Sequence, residues 1–379
     1  MHGDDMVPSG YRRRSILKSL LLGSAACGSG LLSMTLDPQC AEACSRILWK
    51  NSLGTYVGRG EDWFSDAPTD LWVLPRGMER AGAVADNPYK WTSQYGSLVV
   101  VMDDHVSMSG MNERGFSAHV LWLSDTKVAP RDPKLPAISI SQWMQWYLDS
   151  FATVKEAAEA SRNLPFQIRM AMDHNGTKGL FHIAVEDVSG DSAIFEMIDG
   201  EMKIYHDRRY VVMTNEPTYD QQLKVVSQYV GFGGDKPLPG TSEPSDRLVR
   251  GAYYATNLPD PANEREAVAS LLSVMRNVGI PYESPSAHRQ STHPEATPAL
   301  TRTIFRLIMN LDERVVFFDR VLSPTVFWVR LDGFDFKKGA KVTKLPTNGN
   351  DLAYDATGKF KPAKMFTFIS GTEDTLGGP

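Results

Sequence analysis

The chain has 379 residues, of which 42% are hydrophobic and 22% charged, with 30 glycines and 23 prolines. That balance excludes a disordered, collagen-like or coiled-coil protein and suits one large α/β or layered fold. A net charge of −5 argues against a dedicated nucleic-acid binder, and three cysteines exclude a disulfide scaffold.

In chain order, the first element is an export signal. Arg12, Arg13 and Arg14 form a basic start, and a mildly apolar stretch follows from Ile16 to Leu32. It is interrupted by Lys18 and too weak for a stable membrane span. Ala41-Glu42-Ala43 then fits the small-x-small pattern that signal peptidase reads. Residues 1–43 therefore read as a removed leader, exported by the general or the twin-arginine route, and the mature chain as periplasmic. A lipoprotein reading centred on Cys27 is weaker, because Ser24 stands where an apolar residue is usual. Ser15-x-x-Lys18 mimics a β-lactamase motif but lies in the leader.

Cleavage after Ala43 makes Cys44 residue one and discards Cys27 and Cys40. A thiol is a nucleophile only as thiolate, and its ordinary pKa of about 8.5 leaves little thiolate at neutral pH. An α-amine titrates near pH 8 and would sit on the same residue. One residue then supplies nucleophile and base. The competing reading is an ordinary small buried cysteine.

The segment 44–51 reads as a strand, and Thr55–Arg59 as its returning partner, followed by Gly60-Glu61-Asp62-Trp63. Such a hairpin carries Arg59 and Asp62 back beside Cys44, where a guanidinium favours thiolate and a carboxylate orients the amine. Strands are expected at Leu98–Met102 and Ser117–Leu123, then helices at Ile138–Phe151 and Val154–Arg162, the second opened by the capping box Thr153-x-x-Glu156. Strands follow at Leu180–Val185, Ser192–Met197, Met202–His206 and Tyr210–Thr214. Residues 231–244 read as a loop, Glu264–Val278 as a helix and 283–298 as a second loop. Thr301–Met309, Val315–Leu322, Thr325–Arg330 and Phe334–Phe336 read as closing strands. Helices between groups of strands point to a layered sandwich, with no internal repeat.

The order Cys44…Gly58-Arg59-Gly60-Glu61-Asp62-Trp63 resembles the opening of the choloylglycine hydrolase family, which includes penicillin V acylases and conjugated bile acid hydrolases. Four further segments are similar to that family: Gly110–Phe116, Asp187–Glu196 with Asp199-Gly200-Glu201, Val211–Asp220, and Leu238-Pro239-Gly240 with Ser245–Arg250. The resemblance spans essentially all of 44–379. It implies one N-terminal-nucleophile hydrolase domain, of α+β class, with a four-layer αββα sandwich. It also implies Cys44 as nucleophile, Arg59 and Asp62 flanking thiol and amine, and Asn215 as an amide N–H donor to an oxyanion. Arg247 matches the late arginine, with Arg250 as competitor. Trp122 falls where the family supplies a backbone N–H to the oxyanion. Trp63 and Trp122 resemble the Gram-negative branch and suit a flat aromatic or apolar acyl group.

The resemblance thus implies an exported amidase for small N-acyl compounds, penicillin V or N-acyl homoserine lactones, working through a thioester without cofactor or metal. Conjugated bile salts are the alternative substrates, and a homotetramer is the implied assembly. A catalytically dead periplasmic binding protein is the remaining alternative, opposed by retention of Cys44, Arg59, Asp62 and Asn215. No Gly-x-Ser-x-Gly occurs in the mature chain, and His105, His288 and His293 lack metal-ligand spacing. Asp173-His174-Asn175-Gly176 reads as a turn.

Overall fold

The computed structural model describes residues 44–173, 176–229, 236–282, 289–290, 299–349 and 351–372. The leader with Cys27 and Cys40, His174 and Asn175 of the expected turn, 231–235 of the first expected loop and most of the second, with His288 and His293, lie outside the described residues. The first two strands, β1 (Ser45–Asn51) and β2 (Gly54–Trp63), form the expected hairpin across a two-residue turn. Its register sets Ser45 opposite Gly60 and Arg46 opposite Arg59.

The hairpin belongs to a seven-stranded sheet, ordered Val212–Met213, β1, β2, Arg302–Asn310, Val315–Arg320, Phe327–Arg330 and Tyr354–Asp355. A nine-stranded sheet runs Glu201–His206, Ser192–Ile198, Phe181–Glu186, Ser117–Trp122, Val106–Asn112, Ser97–Met102, β3 (Thr69–Leu74), Thr343–Pro346 and Lys361–Pro362. Both sheets are apolar on both faces, and strand alternation shows why. Leu71, Val73, Leu98 and Val100 of the larger sheet pack with Leu48, Val57 and Leu307 of the smaller one. Their neighbours Trp72, Leu74, Val99 and Val101 turn the other way and pack with α1 (Trp143–Ser150) and α2 (Val154–Ser161). Across the molecule, Ile47, Trp49 and Tyr56 of the hairpin pack with α5 (Glu264–Asn277). The layers are therefore helix, sheet, sheet, helix. Gly58 permits the last contact, because a Cβ there would lie 2.6 Å from the Met275 sulfur.

Two expectations are corrected. The helix read over Ile138–Phe151 is three elements: a strand at Ala137–Ser139, a 3₁₀ turn at Ile140–Gln142, and α1. Ala137–Ser139 pairs in parallel with Gln167–Arg169, a tertiary contact that overrides the helical pattern. Phe334–Phe336 is not a strand. A 3₁₀ turn at Leu331–Gly333 ends the preceding strand, and Phe334 stacks edge-on against Phe360. Two helices had no counterpart in the reading: α3 (Tyr219–Ser227) and α4 (Pro244–Asn257).

Near the Cys44 end of the hairpin, a buried charge pair bridges the sheets. Arg46 of β1 donates through Nε and Nη2 to Glu186 Oε2, at 3.0 and 2.6 Å, and both side chains are fully buried. Ser117 Oγ donates to the other carboxylate oxygen at 2.8 Å. Burial alone would raise the Glu186 pKa, but Arg46 and then His119 hold it down at about 2. A carboxyl held below its ordinary value of about 4.3 stabilises the fold above that pH and loses its contribution as pH falls toward 2. Glu186→Gln should therefore lower stability at pH 7 by about 3–5 kcal/mol, because Arg46 is left buried and unpaired. Urea unfolding followed by tryptophan fluorescence should show the gap between variant and parent narrowing from about pH 4.5 to about pH 2. Equal midpoints at pH 7 would contradict this.

Candidate active site

Alternation along β1 and β2 sorts the charged residues between two faces. Val57, Arg59, Glu61 and Trp63 point between the sheets with Leu48, Arg46 and Cys44. Asp62 points to the helix side with Ser45. Cys44 thus lies where the hairpin ends, its thiol on one face and its neighbour's hydroxyl on the other.

The side chain of Asn215 meets Cys44 directly. Its Oδ1 accepts the Cys44 backbone N–H at 2.5 Å, and its Nδ2 donates to the Trp122 carbonyl at 3.1 Å. Asn215 is oriented from behind by Gln222 of α3, whose Nε2 donates to the Asn215 carbonyl at 3.0 Å. The adjacent Glu216 accepts from Ser124 N–H and Oγ at 2.9 and 2.6 Å, tying this segment to the end of the Trp122 strand. Because the Leu123 N–H donates to Leu180, alternation turns the Trp122 N–H and C=O to the other edge. The Asn215 amide thus meets the edge of the strand that carries the Trp122 N–H and C=O.

Arg247, from α4, is fully buried and is the one of the two late arginines whose side chain reaches Cys44. Its Nη1 donates to the Cys44 carbonyl at 2.6 Å and to Ser45 Oγ at 2.7 Å, and its Nη2 donates to Asn215 Oδ1 at 3.2 Å. It also lies 3.7 Å from Asp62 Oδ2. Arg250 points elsewhere, donating to the carbonyls of Pro239 and Thr241 and to Asn277 Oδ1. It pins the loop that leads into α4.

Arg59 donates to the Gly60 carbonyl, to Glu61 Oε2 at 2.6 Å and to the Val120 carbonyl at 2.8 Å. Asp62 accepts from Thr303 Oγ1 at 2.5 Å, and Thr303 Oγ1 in turn accepts the Ile280 N–H. Burial raises the Asp62 carboxyl above its usual range, against the pull of Arg247 and Thr303. Burial also pushes the Cys44 thiol up to about 12; Arg59 opposes the shift, and Glu61 and Asp62 add to it. Arg59 alone therefore does not make a thiolate here.

Cys44, Arg59, Asp62, Asn215 and Arg247 thus come together, as read from the sequence. Glu61 and Thr303 were missed. Alternation could have found Glu61, which shares a face with Arg59. Nothing local marks Thr303, which reaches the site only through pairing with β2.

Trp63 and Trp122 line a cavity of about 310 Å³ with Phe64, Met108, Ile140 and Phe181. Their indoles meet edge-on at 6.1 Å, and Trp122 meets Phe181 at 6.2 Å. Cys44 is 2% exposed and does not line this cavity. The link between them is Trp122, whose ring faces the cavity and whose carbonyl holds Asn215. His105 also lines it, with Nδ1 2.8 Å from the Thr367 carbonyl.

A four-layer αββα sandwich with a cysteine at the start of its first strand, caged by these groups, is the architecture of an N-terminal-nucleophile hydrolase. The family of linear amide C–N hydrolases known as the choloylglycine hydrolase family matches residues 44–344, starting on Cys44 itself. The chain belongs to that family. It is 34% identical over 373 residues to "Penicillin V acylase" of Pectobacterium atrosepticum, covering 91% of this chain and 97% of that one. A solved penicillin V acylase from Agrobacterium tumefaciens superposes with a TM-score of 0.76 at 38% identity, over 86% of this chain and 100% of that chain. A "Conjugated bile acid hydrolase" of Lactobacillus acidophilus is 25% identical over 62% of this chain and 82% of its own.

The two arginines give a test. Arg247→Ala should lower kcat/KM for an amide substrate about 100-fold or more, the scale of losing a group that holds the reacting centre. Arg250→Ala should change kcat/KM only a few-fold and lower Tm instead. Steady-state kinetics and thermal melts separate the two, and the reverse pattern would contradict the assignment.

Proposed function

We propose that this chain is an exported N-terminal-cysteine amidase that hydrolyses small N-acyl compounds, with penicillin V as the leading substrate. The observation that carries the reading is the position of the Cys44 nitrogen. Its N–H donates to Asn215, the Cys44 carbonyl is held by Arg247, and cleavage after Ala43 would convert that peptide N–H into an amine. Before cleavage that nitrogen is an amide and no base, and the buried thiol stays protonated. The precursor is then inactive by construction.

In the cleaved protein the α-amine accepts the thiol proton, and the thiolate attacks the amide carbon. The carbonyl oxygen becomes an oxyanion held by Asn215 Nδ2–H and the Trp122 N–H, each donor contributing about 3–4 kcal/mol. The α-ammonium protonates the leaving amine. Water then adds to the thioester while the α-amine takes its proton, and the acid leaves with the thiol restored. Asp62, fixed by Thr303, orients the amine. Arg247 fixes the Cys44 carbonyl and the Asn215 oxygen.

The wall of the neighbouring cavity supports an aryl-acyl substrate. Two indoles and Phe181 present flat faces and edges that stack on a phenoxy ring. The relatives of lower identity named as bile acid hydrolases make a conjugated steroid amide the second reading. N-acyl homoserine lactones remain within the same acyl range.

Purified active protein should begin at Cys44 by intact mass and should hydrolyse penicillin V. Cys44→Ser should lose about 10³-fold or more in kcat. Equal rates for parent and Cys44→Ser would overturn the thiol mechanism, and a preference for taurine- or glycine-linked steroids would overturn the substrate.

A further inference from the structure

Next to the nucleophile stands a carboxylate that the mechanism above does not use. By the hairpin register Glu61 is the residue opposite Cys44, and both side chains point between the sheets. The Cys44 Sγ–H donates to Glu61 Oε1 at 3.5 Å, and Arg59 donates to Glu61 Oε2 at 2.6 Å. Glu61 is fully buried, so bulk solvent does not screen its charge. A buried carboxylate needs a partner, and Glu61 has two: one cation and one thiol.

Two features of this arrangement are unusual for a nucleophile. Arg59, the cation that most favours the thiolate, is shared with a carboxylate that works against it at the sulfur. The thiol donates its proton to an acceptor that already has a strong donor. In a dry site both effects favour S–H over S⁻. The other charged groups around the sulfur are Asp62 on β2 and Arg247 on α4; His119 faces Arg59 from the opposite sheet, with burial drawing its charge down. None of them cancels Glu61 at the sulfur.

We infer that Glu61 is a positioning residue of this amidase: it receives the Cys44 S–H, offsets Arg59, and so makes formation of the thiolate depend on the α-amine freed at Cys44. The inference rests on the proposed thiol mechanism. It gives the site a latch that ties reactivity to processing, since the arginine beside the sulfur is not sufficient to activate it.

The test reads the thiol itself and needs no substrate. The rate of alkylation by iodoacetamide is followed against pH for the parent, Glu61→Gln and Glu61→Asp, with fold checked by thermal melting. Glu61→Gln should move the midpoint down by about one pH unit or more, because a negative charge beside the sulfur is gone. Glu61→Asp keeps a partner for Arg59 but withdraws the carboxylate from the sulfur, so it should shift the midpoint in the same direction by less. It also serves if Glu61→Gln fails to fold. The acid limb of kcat/KM against pH should move with the midpoint. An unchanged midpoint in the folded variants, even with lower activity, would reduce Glu61 to a structural partner of Arg59 and overturn the inference. A midpoint moved upward would overturn it too. Activity of Cys44→Ser, measured separately, would sink the thiol mechanism without altering the alkylation result.

Discussion

One guanidinium holds the site together. Arg247 reaches in from α4 to the carbonyl of Cys44, the hydroxyl of Ser45 and the side-chain oxygen of Asn215, and it lies against Asp62. These groups come from β1, β2 and the segment after Val212–Met213, which are already neighbours in one sheet, and Arg247 ties their side chains together from the helix layer. A buried cation must find acceptors for its donors, and here they include the Cys44 carbonyl and the Asn215 side chain. The position of Cys44 is therefore fixed in part by satisfying Arg247. Removing the charge would loosen Cys44, Asn215 and Asp62 together.

The second constraint is the two-residue period of the hairpin. It sends Arg59 and Glu61 to the space between the sheets, where the thiol points, and Asp62 to the helix side, where Thr303 and Arg247 wait. The same alternation places Leu48 and Val57 in one apolar layer and Ile47, Trp49 and Tyr56 in the other. A one-residue slip would exchange the two sets and bury unpaired charge on both faces. The polar groups of the site and the apolar layers thus enforce one register between them.

Much of this was legible in the sequence. The small-x-small run before Cys44, the polar Gly58–Trp63 segment and the apolar alternation of Leu98–Met102 each point to the element or group found there or proposed for it. The helix-breaking strand at Ala137–Ser139 was not legible, because its partner Gln167–Arg169 lies beyond an intervening pair of helices and the local pattern reads as helix. Thr303 was invisible for the same reason: its hydroxyl matters only because pairing with β2 carries it to Asp62. Arg247 and Arg250 were inseparable by spacing, since both lie on one helix three residues apart. Only the directions of their side chains distinguish a site residue from a loop anchor.

The central claim is that Cys44 acts only as residue one, with its own nitrogen as the base. The most direct measurement is the mass spectrum of acid-quenched enzyme during turnover of a phenoxyacetyl amide, read at the N-terminal peptide. A single phenoxyacetyl group is expected on a peptide that begins at Cys44, bound as a thioester. Turnover by protein in which Ala43 and Cys44 remain joined, or an acyl group found on any other residue, would contradict it.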